Sequence, residues 1–247
     1  MSVDEIGRVF SEQRELGETI RHWRSHRADL VARGEGPVAM AGPVTTLFHV
    51  IPVSAFSHTT LRESWKLSEE DKNHIHVPHG INSCRYNADG FLGLVQAGNN
   101  IYAYTQVFRS GIIEYADGQC SGSVPIGPND TWIYGQEIER QMISCYGDAV
   151  TRLRKQGKTH PLYVGLSLIG IKGKNFYSTP MHSVFGSPIA RQNTFVSPEV
   201  FVDINEPENH PYPKTLLPLA DTMWQLVGPE GTPFKPKGVW EPFKEYS

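Results

Sequence analysis

The stretch Phe91-Leu92-Gly93-Leu94-Val95-Gln96-Ala97, Gly98-Asn99-Asn100, Ile101-Tyr102-Ala103-Tyr104-Thr105-Gln106-Val107-Phe108, Arg109-Ser110-Gly111, Ile112-Ile113-Glu114-Tyr115-Ala116 decides the fold class. Three apolar runs rich in aromatic and β-branched residues are separated by two short turns of Gly, Asn and Ser. That pattern predicts an antiparallel meander over residues 91–116. Upstream, Thr45 to Ile51 is continuously apolar between Pro43 and Pro52, as a strand buried on both faces should be. Downstream, Leu162 to Ile171 reads as a central strand and Glu199 to Ile204 as a shorter one.

Helical periodicity brackets these strands. Phe10, Leu16, Ile20, Trp23, Leu30 and Val31 recur at three-four spacing, so a helix is expected near 5–32, opened by Asp4 and closed at Gly34. Ile138, Met142, Cys145, Tyr146, Ala149, Val150 and Leu153 mark a second helix near 135–156. Leu216 to Val227 gives a third near 216–227, with Pro218 tolerated in its first turn. Between Ser57 and Cys84 the chain is polar and aperiodic, a long loop with one helical turn near Leu67 to Lys72. A Pro/Gly/Ser loop is expected from Asp117 to Asp130. Strands cluster between helices rather than alternating with them, which predicts an α+β fold with an antiparallel sheet. Three parts follow: an N-terminal helix (1–36), one α+β domain (37–228) and an extended C-terminal tail (229–247).

Composition restricts the function classes. The 247 residues carry 23 basic and 26 acidic side chains, a net charge of −3, which argues against a globally basic nucleic-acid coat. No apolar run is long enough for a membrane span. The start, Met1-Ser2-Val3-Asp4-Glu5, has acids where a signal peptide needs a basic region. Cys84, Cys120 and Cys145 are odd in number and form no CxxC unit, as in a reducing compartment. A cytoplasmic protein is the expectation.

Four residue groups are candidates for function. His74, His76 and His79 lie within six residues and offer imidazoles for Zn²⁺, with His49 or His58 as a fourth ligand; Pro78 stands where metallo-β-lactamase-like hydrolases carry a metal-binding Asp. Arg21, Arg24 and Arg27 form a basic face suited to phosphate, or a solvated face opposite an apolar stripe. Arg85, Tyr86 and Asn87 precede a strand and could hold a ligand, although Asn87-Ala88-Asp89-Gly90 is also plain turn chemistry. Leu16, Ile20, Trp23 and Leu30 approximate a heptad seam for another protein or a second copy, or else cover the chain's own sheet. Acid–base motifs are sparse. Glu137 and Glu139 suit a helix start, Glu199 and Asp203 fall on one strand face, and Gly165 to Gly170 fits neither a nucleophile elbow nor a P-loop. No catalytic residue is assigned.

Several segments together resemble a known family. Phe48-His49-Val50-Ile51-Pro52-Val53-Ser54-Ala55-Phe56, Arg85 to Phe91, Gln106 to Glu114, Leu166 to Gly173 and Ser197 to Val200 are similar in order and spacing to the C-terminal region of bacterial Schlafen/AlbA-2-type DNA-binding proteins. The likeness runs from Trp23-Arg24 to Trp224 and does not include that family's N-terminal nucleic-acid domain. It implies a bacterial, cytoplasmic chain working beside a nucleic-acid-handling or antiviral defence component. The function expected is a non-catalytic binding or scaffold module. Alternatives are a nucleic-acid-binding accessory and a metal-dependent hydrolase or nuclease at His74–His79. No cofactor is called for outside the zinc alternative.

Overall fold

The computed structural model describes residues 3–56, 67, 72, 75–123, 131–157, 161–178, 183–185, 192–204, 213–235 and 238–243. The meander exists as read: β3 (Gly90–Ala97), β4 (Asn100–Phe108) and β5 (Ile113–Asp117) pair consecutively and antiparallel. They belong to an eight-stranded antiparallel sheet. β2 (Ser83–Tyr86) lies outside β3, β1 (Thr45–Pro52) pairs with β5, and β8 (Leu162–Ile169) pairs with β1. β1 is buried at all eight positions, His49 included, as expected of a largely apolar run in a central strand. Along the far edge of β8 run β11 (Thr194–Val196) and β12 (Val200–Val202), an edge strand interrupted at Ser197-Pro198-Glu199.

Period-two alternation gives the sheet two different faces. Phe48, Val50, Tyr115, Val164, Leu166 and Leu168 face the second helix, α2 (Gly135–Lys155), whose Ile138, Met142, Cys145, Ala149 and Leu153 complete the main core. Each such side chain removed from water contributes roughly 1.5–3 kcal/mol. A third helix, α3 (Leu217–Gln225), adds Trp224. Gly135 is needed there, because a Cβ would sit 2.4 Å from the Trp224 ring.

The opposite face is covered by α1 (Val3–Ala32), 30 residues long. Ala28 and Val31 pack on Leu47, Leu92, Leu94, Tyr104, Ala116 and Ile169; Ile20 packs on Ile51 and Ile112. The helix is therefore a cover for its own sheet rather than a separate N-terminal part. A four-stranded second sheet was not legible in the sequence: β6 (Ser121–Ser123), β7 (Thr131–Tyr134), β9 (Asn175–Ser178) and β10 (Ser183–Phe185), with β7 and β9 parallel. It occupies part of the expected 117–130 loop. The expected helical turn at 67–72 lies outside the described residues, apart from Leu67 and Lys72. Of the expected C-terminal tail, Thr232, Phe234 and Trp240 are buried. No helix among the described residues is long and apolar enough to cross a membrane.

Candidate functional site

The three arginines of α1 share one helix face, because residues three apart are neighbours on a helix. That face is turned inward. Arg24 is fully buried and Arg27 is 8% exposed, so neither is available to phosphate; only Arg21 reaches solvent, and it is paired with Glu199 at 2.6 Å. The same stripe carries Ile20, Ala28 and Val31, so burying the apolar residues takes the guanidinium groups down with them.

What receives them is a polar centre in the sheet. Arg27 Nε and Nη2 donate to the two Glu114 oxygens at 2.9 and 2.7 Å. The Tyr104 hydroxyl donates to Glu114 Oε1 at 2.8 Å, and His49 Nε2 lies 2.9 Å from Oε2. Burial alone would raise the Glu114 pKa, but Arg27 and His49 outweigh it and hold the carboxyl group down at about 2. Burial pushes His49 below the ordinary histidine value, so it is neutral and donates through Nε2. Four donors then fill the four lone-pair positions of one carboxylate. Glu114 has no open position left for a substrate or metal. It is a clamp between α1 and three strands.

Arg24 serves the interrupted edge. Its Nη1 donates to the Ser197 carbonyl and its Nη2 to the Leu166 carbonyl, both at 2.9 Å, while Ser197 Oγ accepts from the Leu166 amide at 3.0 Å. The guanidinium thus closes the ladder where β11 and β12 are separated. Burial lowers Arg24 to about 10, with Glu199 at 3.7 Å opposing that, so it stays charged at neutral pH. Glu199 is thereby engaged by Arg21 and Arg24.

The histidines are dispersed. His74 lies outside the described residues. His76 stacks obliquely 6.2 Å from Tyr115, and its carbonyl accepts the Thr105 hydroxyl at 2.7 Å. His79 adopts φ +65° and places Nε2 3.0 Å from Asp117 Oδ2. Among the described residues no group of three or more His, Cys, Asp and Glu is arranged to hold a metal. The Asp117 hydrogen bond, opposed by partial burial, raises His79 above its ordinary value of 6.5. Its pairing with Asp117 therefore contributes fully below pH 6.5 and is lost as pH rises through the raised value. An NMR titration of the His79 ring should show a midpoint above 6.5 that falls in Asp117→Asn; an unchanged midpoint contradicts the pairing.

Arg85 and Tyr86 are exposed on β2, and Tyr86 meets Phe91 edge-on at 5.1 Å. Asn87 builds the turn, its Oδ1 accepting the Asp89 and Gly90 amides and its Nδ2 donating to Gln106 at 2.6 Å. The turn thus engages Asn87, while Arg85 and Tyr86 stay exposed on β2.

The expected interface residues are also redistributed. Ile20 is fully buried, and Trp23 lies edge-on to His49, Phe56 and Phe108 at 5.2, 6.4 and 5.6 Å. Both cover their own sheet, while Leu16 and Leu30 are half-buried. Beside them runs a surface ridge the sequence reading missed. Trp23, Phe56, Phe108 and Tyr163 are half-buried around Ile20, Ile51 and Ile112, and Phe201, 52% exposed, stands 5.4 Å from Tyr163. Phe201 sits at an alternating edge-strand position, a signal available only once its strand is placed. Comparison of the chain with family models, curated proteins and solved structures gives no match.

Proposed function

We propose that this chain is a non-catalytic protein-binding module whose docking surface is the aromatic ridge Trp23–Phe56–Phe108–Tyr163–Phe201. The observation that carries the reading is Phe201, a large aromatic left 52% exposed on a cluster otherwise half-covered. Contiguous apolar surface of this kind is characteristic of protein contacts. Covering the remaining half of a phenylalanine, about 100 Å², is worth about 2.5 kcal/mol. The charges of α1 support the same reading, since Arg24 and Arg27 are spent inside the fold and leave no basic stripe beside the ridge. The resemblance to Schlafen/AlbA-2-type proteins makes the partner a component of a bacterial nucleic-acid-handling or defence assembly, or a second copy of the chain.

A photo-crosslinking amino acid in place of Phe201 tests this in the native host. A defined adduct, to one protein or to a second copy, is expected, and it should be lost when Tyr163→Asp is added. The same probe at Val239, exposed but distant in sequence from the ridge, is the control. Adducts at 201 no stronger than those at 239 would sink the proposal.

A further inference from the structure

Glu139 stands on α2, where an ordinary helix-start carboxylate would face water. Instead it is fully buried. The Trp224 indole donates to its Oε1 at 2.6 Å, the Thr232 hydroxyl to the same oxygen at 2.6 Å, and the Trp240 indole to Oε2 at 2.6 Å. One carboxyl group thus joins α2, α3 and two stretches of C-terminal chain, Thr232–Lys235 and Trp240–Pro242. Other contacts hold the same stretches. Phe234 is buried 5.9 Å from Trp224, Gln136 Nε2 and Arg140 Nε both donate to the Pro242 carbonyl at 2.9 Å, and the Glu241 amide donates to the Phe234 carbonyl at 2.8 Å.

We propose that Glu139 is the proton-controlled pin of a C-terminal strap, fastened while the carboxyl group carries its proton and loosened when it ionises. The geometry permits both states. As a neutral acid, Oε1 still accepts two bonds on its carbonyl lone pairs and Oε2 still accepts one, so all three donors remain paired. The anion keeps the same donors but places a full charge in an apolar setting of Trp224, Phe234 and Trp240.

The charged groups around it set the balance. Asp221 on α3 faces Glu139 with like charge. Lys235 on the strap is committed to Asp221, with Nζ 2.7 Å from both its oxygens, and Arg140 on α2 is directed to Pro242. No cation among these bonds Glu139 itself. Burial, only partly offset by Thr232 and the two indoles and reinforced by Asp221, raises the Glu139 pKa to about 7.

The direction of the effect follows from linkage. A carboxyl group with a raised value in the closed state binds its proton more tightly there than when the strap is open. Closure is strongest below the ordinary value near 4.5 and weakens as pH rises to about 7, by about tenfold per pH unit, then levels off. The transition therefore lies between about pH 4.5 and about pH 7, so acidification from neutral pH re-fastens the strap.

The experiment is NMR on the full chain. The Nε1–H resonances of Trp224 and Trp240 should titrate together with a midpoint near 7, and amide-exchange protection at Thr232, Phe234 and Glu241 should fall about 40-fold from pH 5 to pH 7 after correction for intrinsic rates. In Glu139→Gln the exchange profile should lose its pH dependence. Indole resonances flat from pH 5 to 8.5 in the wild-type chain would overturn the proposal without any variant. So would strap protection that changes with pH equally in Glu139→Gln.

Discussion

Replacing Glu114 by alanine should lower the unfolding free energy by about 3–5 kcal/mol, the range for breaking a buried ion pair on one side only. The carboxylate accepts two bonds from Arg27 and one each from His49 and Tyr104, all inside the fold. Without it, Arg27 is a charge 8% exposed that has lost its paired carboxylate, and two further donors lose their acceptor. A domain with 5–15 kcal/mol of stability loses a large part of it. Replacing the pair together, as in Arg27→Met with Glu114→Leu, should cost far less, because no orphaned charge remains. The clamp also has an acid signature. Since Glu114 is held down at about 2 against an ordinary 4.5, its contribution is present above pH 4.5 and is lost as pH falls toward 2. Urea midpoints at pH 7 and pH 3, with unchanged slope, measure both effects. A loss under about 1 kcal/mol for Glu114→Ala at pH 7 would mean that the clamp does not hold α1 down.

The elements that could be read in advance are those whose signal is local. The 91–116 meander declares itself through alternation and two short turns, and α2 through a stripe at three-four spacing. The second sheet has no such signal. Its strands are only three or four residues long, and the parallel pairing that joins its two halves, Trp132 with Asn175, spans 43 residues, so only the assembled core selects them. The burial of the arginines is hidden from local pattern because a charged residue on an amphipathic helix belongs by default to the water-facing side. A counter-signal was present: Glu114 interrupts the apolar run Ile112–Ala116, and His49 the run Thr45–Ile51. A buried carboxylate in a central strand requires a cation, and the helix Ile20–Val31 is the element that supplies one. Composition likewise made the C-terminal residues a tail, although Phe234 and Trp240 were anchors in plain view. Their acceptor, Glu139, is a helix residue about 100 positions earlier (Trp240 to Glu139 spans 101), beyond the reach of any local pattern.

Gly165→Ala should be nearly as damaging as the loss of Glu114. A Cβ at this position would stand 2.1 Å from Arg24 Cζ and 2.4 Å from each terminal nitrogen, all closer than packed atoms tolerate. The obstructing group is the end of a long side chain, which ordinarily could swing aside. Here it is fully buried and bonded to the Leu166 and Ser197 carbonyls, so moving it leaves a charge and two acceptors unpaired. Overpacking and the broken charged hydrogen bonds together give an expected loss of about 3 kcal/mol. Arg24→Met alone should cost a comparable amount, because it opens the joint between β11 and β12 against β8. The two effects share one cause, so the double variant should be more stable than the sum predicts, with a coupling of about 2 kcal/mol in a denaturation cycle. Additivity within about 0.5 kcal/mol would show that Arg24 does not occupy the space that Gly165 leaves. The coupling expected instead explains why a glycine interrupts the otherwise bulky run Leu162–Ile169: the missing side chain at 165 is replaced by one reaching down from α1.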